Sequence, residues 1–462
     1  MAADSPVDSN APPVAASTLR MTSRRHLLLL LAIIVLAIGL RLAWIAYVNP
    51  SPFDGRADDT AFYAFAGKSL AGGHGYTNFY GFPTAQWPPA YPFLLASLFK
   101  VFGTNIVIPK IVNALAGGLA CLLIYLIAAK VFDRRIGLLG GFLFAIFPGQ
   151  IFFSTLLMTE SLTPALLGLM LLLLLMWVVE RKDARWFQHA TIGVLFGVAL
   201  LARGEAAMLV LAALLIWKLA VPAWRLFARQ AGVFLVAAAL TVLPWTIRNA
   251  VSMHSFVPVS TALGHTMLAG HQPDIYSPWR LFPETKYQEQ YKNVPFPERE
   301  IKVENAAQHE ALEFIVHHPV EESYYPFIKF YHLFKSDSEA VAWVNAYMPP
   351  PDTRPKLLSA QEEDRFAVLA NGYYVILMVC ASVGLPLWFS FRDKRKLLLM
   401  LFAGAWVAIH LALWPSGRYH VALTPIFCLW AALSLVTVYD WLAEHRRRVV
   451  AAAAARGTAR GR

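Results

Sequence analysis

Cysteine and charge are both scarce in this chain. Its three cysteines, Cys121, Cys380 and Cys428, all lie in apolar runs, so the sequence encodes neither a disulfide framework nor a cysteine metal cluster. Charged residues make up 15% of the 462 residues, whereas hydrophobic residues make up 57%. A typical soluble domain has about a quarter of its residues charged. Because apolar runs long enough to cross a bilayer recur along the chain, we predict a helical membrane protein.

Familiar catalytic signatures are missing as well. No glycine-rich nucleotide loop and no Ser-His-Asp pattern is legible, which disfavours a nucleotide-consuming enzyme or pump. The histidines, including His317 and His318, lack the spacing of metal ligands, so we predict no zinc site and leave a need for divalent metal open. The formal net charge of +11 comes from basic residues that cluster beside apolar runs. Membrane topology explains these residues, and we predict no nucleic-acid partner.

Basic residues set the expected orientation, because inner membrane loops are enriched in Lys and Arg. Arg24 and Arg25 precede the first apolar run, which is too long for a signal peptide, so we expect an uncleaved anchor and cytoplasmic termini. The pattern predicts about ten transmembrane helices, with up to thirteen allowed, and places every short basic turn inside. The expected spans are 27–48, 106–129, 136–153, 161–179, two within 187–220 that separate at Arg203-Gly204-Glu205, 230–247, 368–390, 397–414 and 421–441.

This pattern divides the chain into five regions. We expect a disordered tail at 1–23, an N-terminal transmembrane module at 24–249 with an external loop at 49–105, an external region at 250–365, C-terminal transmembrane helices at 366–445 and a basic tail at 446–462. Residues 89–102 are apolar but short, which predicts an interfacial or re-entrant helix. Residues 304–315 show helical spacing that stops near Pro319. The predicted class is an all-α polytopic membrane protein with one large external region.

The first external loop opens with an acidic pair, Asp58 and Asp59, and continues through glycine-rich and aromatic-proline stretches. Two carboxylates held close together and poorly solvated suit one of them to general base chemistry. A simpler interpretation is that the pair caps the helix that begins near Ala61. A cap needs only one of the two acids, so both roles can coexist.

Further charged and polar residues fall on the outer face with this pair. Charge at a membrane boundary is costly, which makes such residues functional candidates. Each has an alternative: a helix cap, an ion pair across a turn, or an arginine anchor in the headgroup layer. Arg41 lies well within the first apolar run, and we expect it to face the interior of the helical bundle. The outer-face candidates are Glu160, Arg203, Glu205, Arg248, Arg418 and His420.

The first loop resembles that of the GT-C glycosyltransferases of the protein O-mannosyltransferase and aminoarabinose-transferase type. Weaker matches follow in the same order over nearly the whole chain. The matching stretches are Asp58-Asp59-Thr60-Ala61-Phe62-Tyr63, Gly72-Gly73-His74-Gly75-Tyr76, Pro88-Pro89-Ala90-Tyr91-Pro92, Arg203-Gly204-Glu205, Pro244-Trp245-Thr246-Ile247-Arg248-Asn249 and Arg418-Tyr419-His420. Two stretches depart from the aminoarabinose transferases, which tend to have an Arg and a Lys where this chain has Ala61-Phe62 and Gln86-Trp87.

The resemblance implies a GT-C-type bundle whose N-terminal module is catalytic. It implies a polyprenyl-phosphate-linked sugar as donor, a protein, lipid or glycan as acceptor, and an active site on the outer face of the plasma or inner membrane. Asp58 would be the catalytic base of an inverting transfer, with Asp59 in place of the usual Glu and Glu160 as a second acid. The phosphate- and substrate-binding set would comprise Arg203, Glu205, Arg248, Arg418, Tyr63 and His420.

Two other functions compete with this interpretation. A flippase or transporter of lipid-linked sugars would explain buried charge, but it predicts internal repeats, and none is legible. A polysaccharide ligase or polymerase also uses lipid-linked sugars and a large external region. That class usually relies on loop arginines and a histidine instead of an acidic pair in the first loop.

Overall fold

The computed structural model describes residues 23–54, 58–181, 184–273, 275, 285–346 and 356–460. Apart from Ser23, the predicted tail at 1–23 lies outside these residues. Regular secondary structure in the described part of the chain is helical, which confirms the all-α class. The first loop contains two helices, α2 (Asp59–Ala71) and α3 (Ala90–Phe102), and α3 lies where the short apolar helix was predicted.

In the part of the chain that the structure describes, six helices are long and apolar enough to cross a membrane, so the chain is a polytopic membrane protein. They are α1 (Ser23–Tyr47), α4 (Val107–Val131), α10 (Trp224–Met253), α16 (Ala360–Val383), α18 (Lys394–Ala412) and α19 (Thr424–Arg460). The remaining predicted spans are occupied by shorter helices. These are α5 (Arg134–Ala145), α6 (Pro148–Phe153), α7 (Thr163–Leu174), α8 (Trp186–Ala202) and α9 (Ala207–Ala220).

Several predicted span boundaries need correction. The span expected at 136–153 is broken between α5 and α6, because Pro148 starts a new helix and disfavours helical backbone just before it. The span expected at 161–179 begins after a 3-10 turn, Thr159–Ser161, and ends in a π-helical stretch, Leu175–Val179. The run 187–220 divides at Arg203, as predicted, with a 3-10 turn at Gly204–Ala206 between α8 and α9.

Helices occupy much of the described part of the region 250–365, which was predicted to be external. Its start belongs to α10, and α16 begins at Ala360, where Ser359 and Glu362 form a capping box that extends the helix ahead of its apolar part. Between them lie α11 (Leu263–Gly270), α12 (Thr285–Gln290), α13 (Glu298–His317), α14 (Pro319–Phe334) and α15 (Glu339–Val344). The helix predicted at 304–315 and its stop near Pro319 are confirmed by α13.

Two boundaries near the C-terminus also differ from prediction. The span expected at 368–390 ends at Val383 and is followed by a short helix, α17 (Leu385–Trp388). The helix expected to end at 441 continues to Arg460 through the predicted basic tail, because that tail consists largely of alanine and arginine, which favour helix.

Small residues let the membrane helices pack closely. A Cβ at Gly193 in α8 would lie 2.2 Å from the backbone oxygen of Phe234 in α10, so only glycine allows these two helices to approach as they do. Arg41, as expected, is buried in the bundle. Its Nη1 donates to the carbonyl oxygens of Ala37 at 3.0 Å and Ala145 at 3.3 Å, which connects α1 to the end of α5.

Candidate active site

The acidic pair lies at the start of α2, as the capping interpretation predicted. Asp58 is the N-cap residue, and its Oδ1 accepts hydrogen bonds from the backbone N–H of Ala61 at 3.1 Å and from the hydroxyl of Thr60. Asp59 is the first residue of the helix. Capping fixes the backbone of Asp58 and therefore the direction in which both carboxylates point.

Asp59 forms an ion pair with Arg418, which is distant in sequence. Arg418 Nη1 lies 2.6 Å from Asp59 Oδ2, and the two side chains are 13% and 15% exposed. Arg418 belongs to a 3-10 segment, Gly417–Leu423, that joins α18 to α19. Its Nε lies 3.8 Å from Glu160 Oε1. Arg418 therefore connects the first loop to the turn before α7.

Glu160 is buried and contacts a second arginine. Its Oε1 lies 3.2 Å from Arg203 Nη1, and Arg203 Nε lies 3.8 Å from Glu205 Oε2. Arg203 Nη1 also donates to the hydroxyl of Thr159 at 3.1 Å. Burial is the largest single effect on the pKa of Glu205 and raises it, but Arg203, His410, a backbone hydrogen bond and Arg418 together outweigh it and hold that pKa below its ordinary value.

These contacts form one continuous series of alternating charges. We call Asp59, Arg418, Glu160, Arg203 and Glu205, in that order, the ion-pair chain. Its members come from four separate turns. The predicted topology placed these turns on one face, and the expected convergence of these residues is observed. It contains three carboxylates and two guanidinium groups, so the ion-pair chain itself carries one net negative charge. Each arginine contacts two carboxylates, so a bound phosphate would have to compete for it.

Tyr63 is buried one helical turn beyond the acidic pair, with its ring 5.5 Å from that of Tyr91. Burial raises its pKa well above the ordinary value, and the negative charges of Asp59 and Glu160 add to the shift. The hydroxyl therefore stays protonated near neutral pH and can donate a hydrogen bond beside the ion-pair chain.

Arg248 lies apart from the ion-pair chain. Its guanidinium donates to the carbonyl oxygens of Thr84 and Tyr76, both at 2.6 Å, and lies 4.9 Å from the ring centroid of Trp245. Glu300 in α13 accepts a hydrogen bond from the hydroxyl of the same Thr84 at 2.6 Å. These contacts hold the first loop against α10 and the external region. The phosphate-binding role predicted for Arg248 would require it to leave both carbonyls.

His420 is likewise not brought to the ion-pair chain. It is fully buried, with Nδ1 2.8 Å from the carbonyl oxygen of Leu333 and Nε2 3.1 Å from Asp337 Oδ1. Its ring stacks on Tyr374 at 4.6 Å. These contacts attach the segment after Arg418 to the end of α14. His420 could therefore affect substrate binding only indirectly, through the position of the Gly417–Leu423 segment.

Sequence reasoning missed Glu339 and Trp343 in α15. Glu339 accepts hydrogen bonds from Ser416 and Gly417, and the ring of Trp343 lies against Arg418. Neither residue stands in a motif, and 77 positions separate Glu339 from Ser416, so no local signal pointed to this contact. Within the described residues, no group of three or more His, Cys, Asp or Glu side chains could hold a metal ion.

The helical bundle is that of a polytopic membrane protein of the GT-C type. Residues 86–247 match the family model of dolichyl-phosphate-mannose-protein mannosyltransferase. The match covers about a third of the chain and includes Glu160, Arg203 and Glu205, whereas Asp58, Asp59 and Arg418 lie outside it. Over these residues the chain is similar to the GT-C glycosyltransferases of the protein O-mannosyltransferase type, in agreement with the resemblance drawn from the sequence.

Solved structures agree with this architecture. The oligosaccharyltransferase AglB from Archaeoglobus fulgidus, in complex with an inhibitory peptide and a dolichol-phosphate, matches with a TM-score of 0.52 and 18% identity, over 92% of this chain and 52% of that chain. An Archaeoglobus fulgidus oligosaccharyltransferase in the apo form matches with a TM-score of 0.52 and 19% identity, over 93% of this chain and 52% of that chain. This chain therefore spans about half the length of the archaeal enzyme.

A further match is weaker. ArnT from Cupriavidus metallidurans, bound to undecaprenyl phosphate, has a TM-score of 0.44 and 14% identity, over 89% of this chain and 78% of that chain. Comparison with curated protein sequences yields no match.

Proposed function

We propose that this glycosyltransferase moves a sugar from a polyprenyl-phosphate-linked donor to an acceptor on a protein, lipid or glycan at the outer face of the membrane. The observation that supports this most directly is the ion-pair chain, because it gathers carboxylates and arginines from four turns at one end of the bundle. A transferase of this kind needs both charges: a base for the acceptor and cations for the leaving phosphate. The structural match that contains a dolichol-phosphate supports the donor class.

In the proposed reaction the acceptor oxygen attacks the anomeric carbon of the sugar while Asp58 takes its proton. The bond between that carbon and the phosphate oxygen breaks, the oxygen keeps the electron pair, and the configuration at carbon inverts. We assign the base to Asp58 because it stands where the resembling transferases have their catalytic Asp, and the neighbouring Asp59 is paired with Arg418 at 2.6 Å. Arg418 and Arg203 would balance the charge of the departing polyprenyl phosphate once it replaces one of their carboxylate partners.

The proposed orientation places the ion-pair chain outside and both termini in the cytoplasm of a cell whose plasma or inner membrane holds the protein. The turns that hold the ion-pair chain alternate along the chain with basic turns. Lys130 lies in the last turn of α4 and Arg134 starts α5, and Lys218 lies in the last turn of α9 and Arg225 in the first turn of α10. Basic residues favour the cytoplasmic side, so the other ends of the helices face out. The acceptor would then belong to the cell envelope.

The test is a transfer assay with purified protein, a panel of radiolabelled polyprenyl-phosphate sugars and a membrane extract as acceptor. Asp58→Asn suits it well, because Asn is as good an N-cap as Asp and should leave α2 intact. We expect the variant to lose transfer by roughly 10²-fold or more, the usual contribution of a general base. The matched control is Asp133→Asn, which alters the N-cap of α5 and should retain wild-type transfer.

Two outcomes would contradict the proposal. Transfer by Asp58→Asn at the wild-type rate would rule out the assigned base. No transfer by the wild type with any donor, together with movement of sugar-lipid across reconstituted vesicles, would instead support a flippase.

A further inference from the structure

The short helix α15 is hydrogen-bonded to the start of the Gly417–Leu423 segment, which contains Arg418. The carboxylate of Glu339 accepts hydrogen bonds from the Ser416 hydroxyl at 2.8 Å, the Gly417 N–H at 2.8 Å and the Arg418 N–H at 3.2 Å. The first N–H groups of a helical segment have no partners within it, and a carboxylate satisfies them with charge-assisted bonds. Glu339 therefore fixes where the Gly417–Leu423 segment begins.

The same face of α15 supports the Arg418 side chain. Trp343 follows Glu339 by four residues, so the two side chains lie one above the other on the helix. The guanidinium carbon of Arg418 is 4.7 Å from the Trp343 ring centroid, and its Nη1 is 2.6 Å from Asp59. The indole thus contacts the guanidinium face while the guanidinium edge faces the ion-pair chain.

Asp337, two residues before α15, contacts the segment beyond Arg418. Asp337 Oδ1 lies 3.1 Å from His420 Nε2, and both side chains are almost completely buried. One stretch of the external region, from Asp337 to Trp343, therefore contacts the segment on both sides of Arg418.

We infer that α15 is the positioning element for the arginine that meets the donor phosphate, with Glu339 and Trp343 as positioning residues that act through Arg418. This inference rests on the proposed function. Glu339 sets the backbone of Arg418 and Trp343 holds its guanidinium in one plane. The arginine can then exchange Asp59 for a phosphate oxygen by a small side-chain shift, without rearrangement of the backbone. The external region would thereby contribute to donor recognition.

The test separates donor KM from kcat in the transfer assay. Trp343→Ala should raise the donor KM about tenfold, the size expected for a partly desolvated cation–π contact, with a smaller change in kcat. Trp343→Phe keeps an aromatic face and should stay within about threefold of wild type. Trp186→Ala, which removes an exposed tryptophan at the start of α8, is the matched control and should change neither constant.

A double-mutant cycle shows whether Trp343 acts through the arginine. Arg418→Lys keeps the charge but loses the planar face, so adding Trp343→Ala to it should raise KM no further. Glu339→Gln should also raise KM, and its combination with Arg418→Lys should likewise be less than multiplicative. Multiplicative effects, or a Trp343→Ala variant that loses kcat and thermal stability together at unchanged KM, would overturn the inference.

A binding measurement distinguishes failure of this inference from failure of the proposed function. Polyprenyl phosphate without sugar should raise the melting temperature of the wild type, and less so that of Trp343→Ala. If the wild type transfers nothing but binds polyprenyl phosphate, only the proposed reaction fails, and equal stabilisation of both proteins would overturn the inference. If the wild type neither transfers nor binds, the two fail together.

Discussion

Glu160 is where the two arginines of the ion-pair chain meet, so its neutralisation should be costly. Its Oε1 lies 3.2 Å from Arg203 Nη1 and 3.8 Å from Arg418 Nε, and its side chain is 4% exposed. Glu160→Gln removes the charge with almost no change in shape. Gln can still accept one hydrogen bond from Arg203, but two guanidinium groups then share the remaining carboxylates, Asp59 and Glu205.

The expected size follows from these distances. With an effective dielectric constant of about 20, the two contacts of Glu160 amount to about 5 and about 4 kcal/mol before any desolvation is counted. Removal of one partner from a buried ion pair costs roughly 3–5 kcal/mol in measured cases. Because Gln keeps a hydrogen bond, we expect the free energy of unfolding to fall by about 3 kcal/mol.

The assay is unfolding of the purified protein in mixed micelles by increasing SDS. Wild type, Glu160→Gln, Arg203→Gln and the double variant form a cycle, and residues in contact should show a coupling energy of about 1–3 kcal/mol. Glu180→Gln is the control, because its pair with Lys130 is as short, 2.7 Å, but about a third exposed at each side chain. Such a surface pair contributes about 1 kcal/mol at most. Additivity within about 0.5 kcal/mol for Glu160 and Arg203 would refute this reasoning.

Three other predictions follow from the packing. Burial raises the pKa of Glu304 to about 7, from 4.5, so the free energy of unfolding should fall by about 3 kcal/mol as pH rises from 4.5 to 7. Glu304→Gln should flatten this dependence of stability on pH, and an unchanged slope in the variant would contradict the prediction. Overpacking by Gly193→Ala should lower the free energy of unfolding by about 1–3 kcal/mol and the melting temperature with it, whereas Gly372→Ala, where a Cβ meets nothing within 4 Å, should leave the melting temperature equal or higher. Arg248→Lys replaces two separate donor nitrogens by one, which should hold the two carbonyls less well, so proteolysis of the first loop should increase at unchanged donor KM. A raised KM would instead support phosphate binding.

The alternation of basic and acidic turns predicted which parts of this chain meet. Positive charge assigned the loops to two faces, and the residues thereby placed together, among them Asp59, Glu160, Arg203 and Arg418, lie within ion-pair distance in the structure. Such a prediction works because it depends on a property of whole loops, their net charge, and not on the exact length of any helix. The capping role of Asp58 was also legible, since it depends on residues three positions apart.

Partners of single side chains could not be predicted in the same way. Arg248 and His420 were grouped with the other candidates by topology and by the resemblance, yet each is bound by backbone or side-chain atoms more than 80 positions away. Helix breaks inside apolar runs were equally hidden, because a run of hydrophobic residues has no period that marks where one helix ends. Pro148 was the one local signal for the break between α5 and α6, and its meaning depends on the packing around it.

The charge of the ion-pair chain bears on how the proposed reaction would end. The donor is a phosphodiester with one negative charge, whereas the released polyprenyl phosphate is a monoester that approaches two near neutral pH. The Asp59 carboxylate, 2.6 Å from Arg418, competes with the released polyprenyl phosphate for that arginine and should therefore speed product release. Asp59→Asn should therefore be inhibited by added polyprenyl phosphate at about tenfold lower concentration than wild type, since a close like charge is removed. Equal inhibition of the two proteins would mean that Asp59 only holds Arg418 in place and has no part in product release.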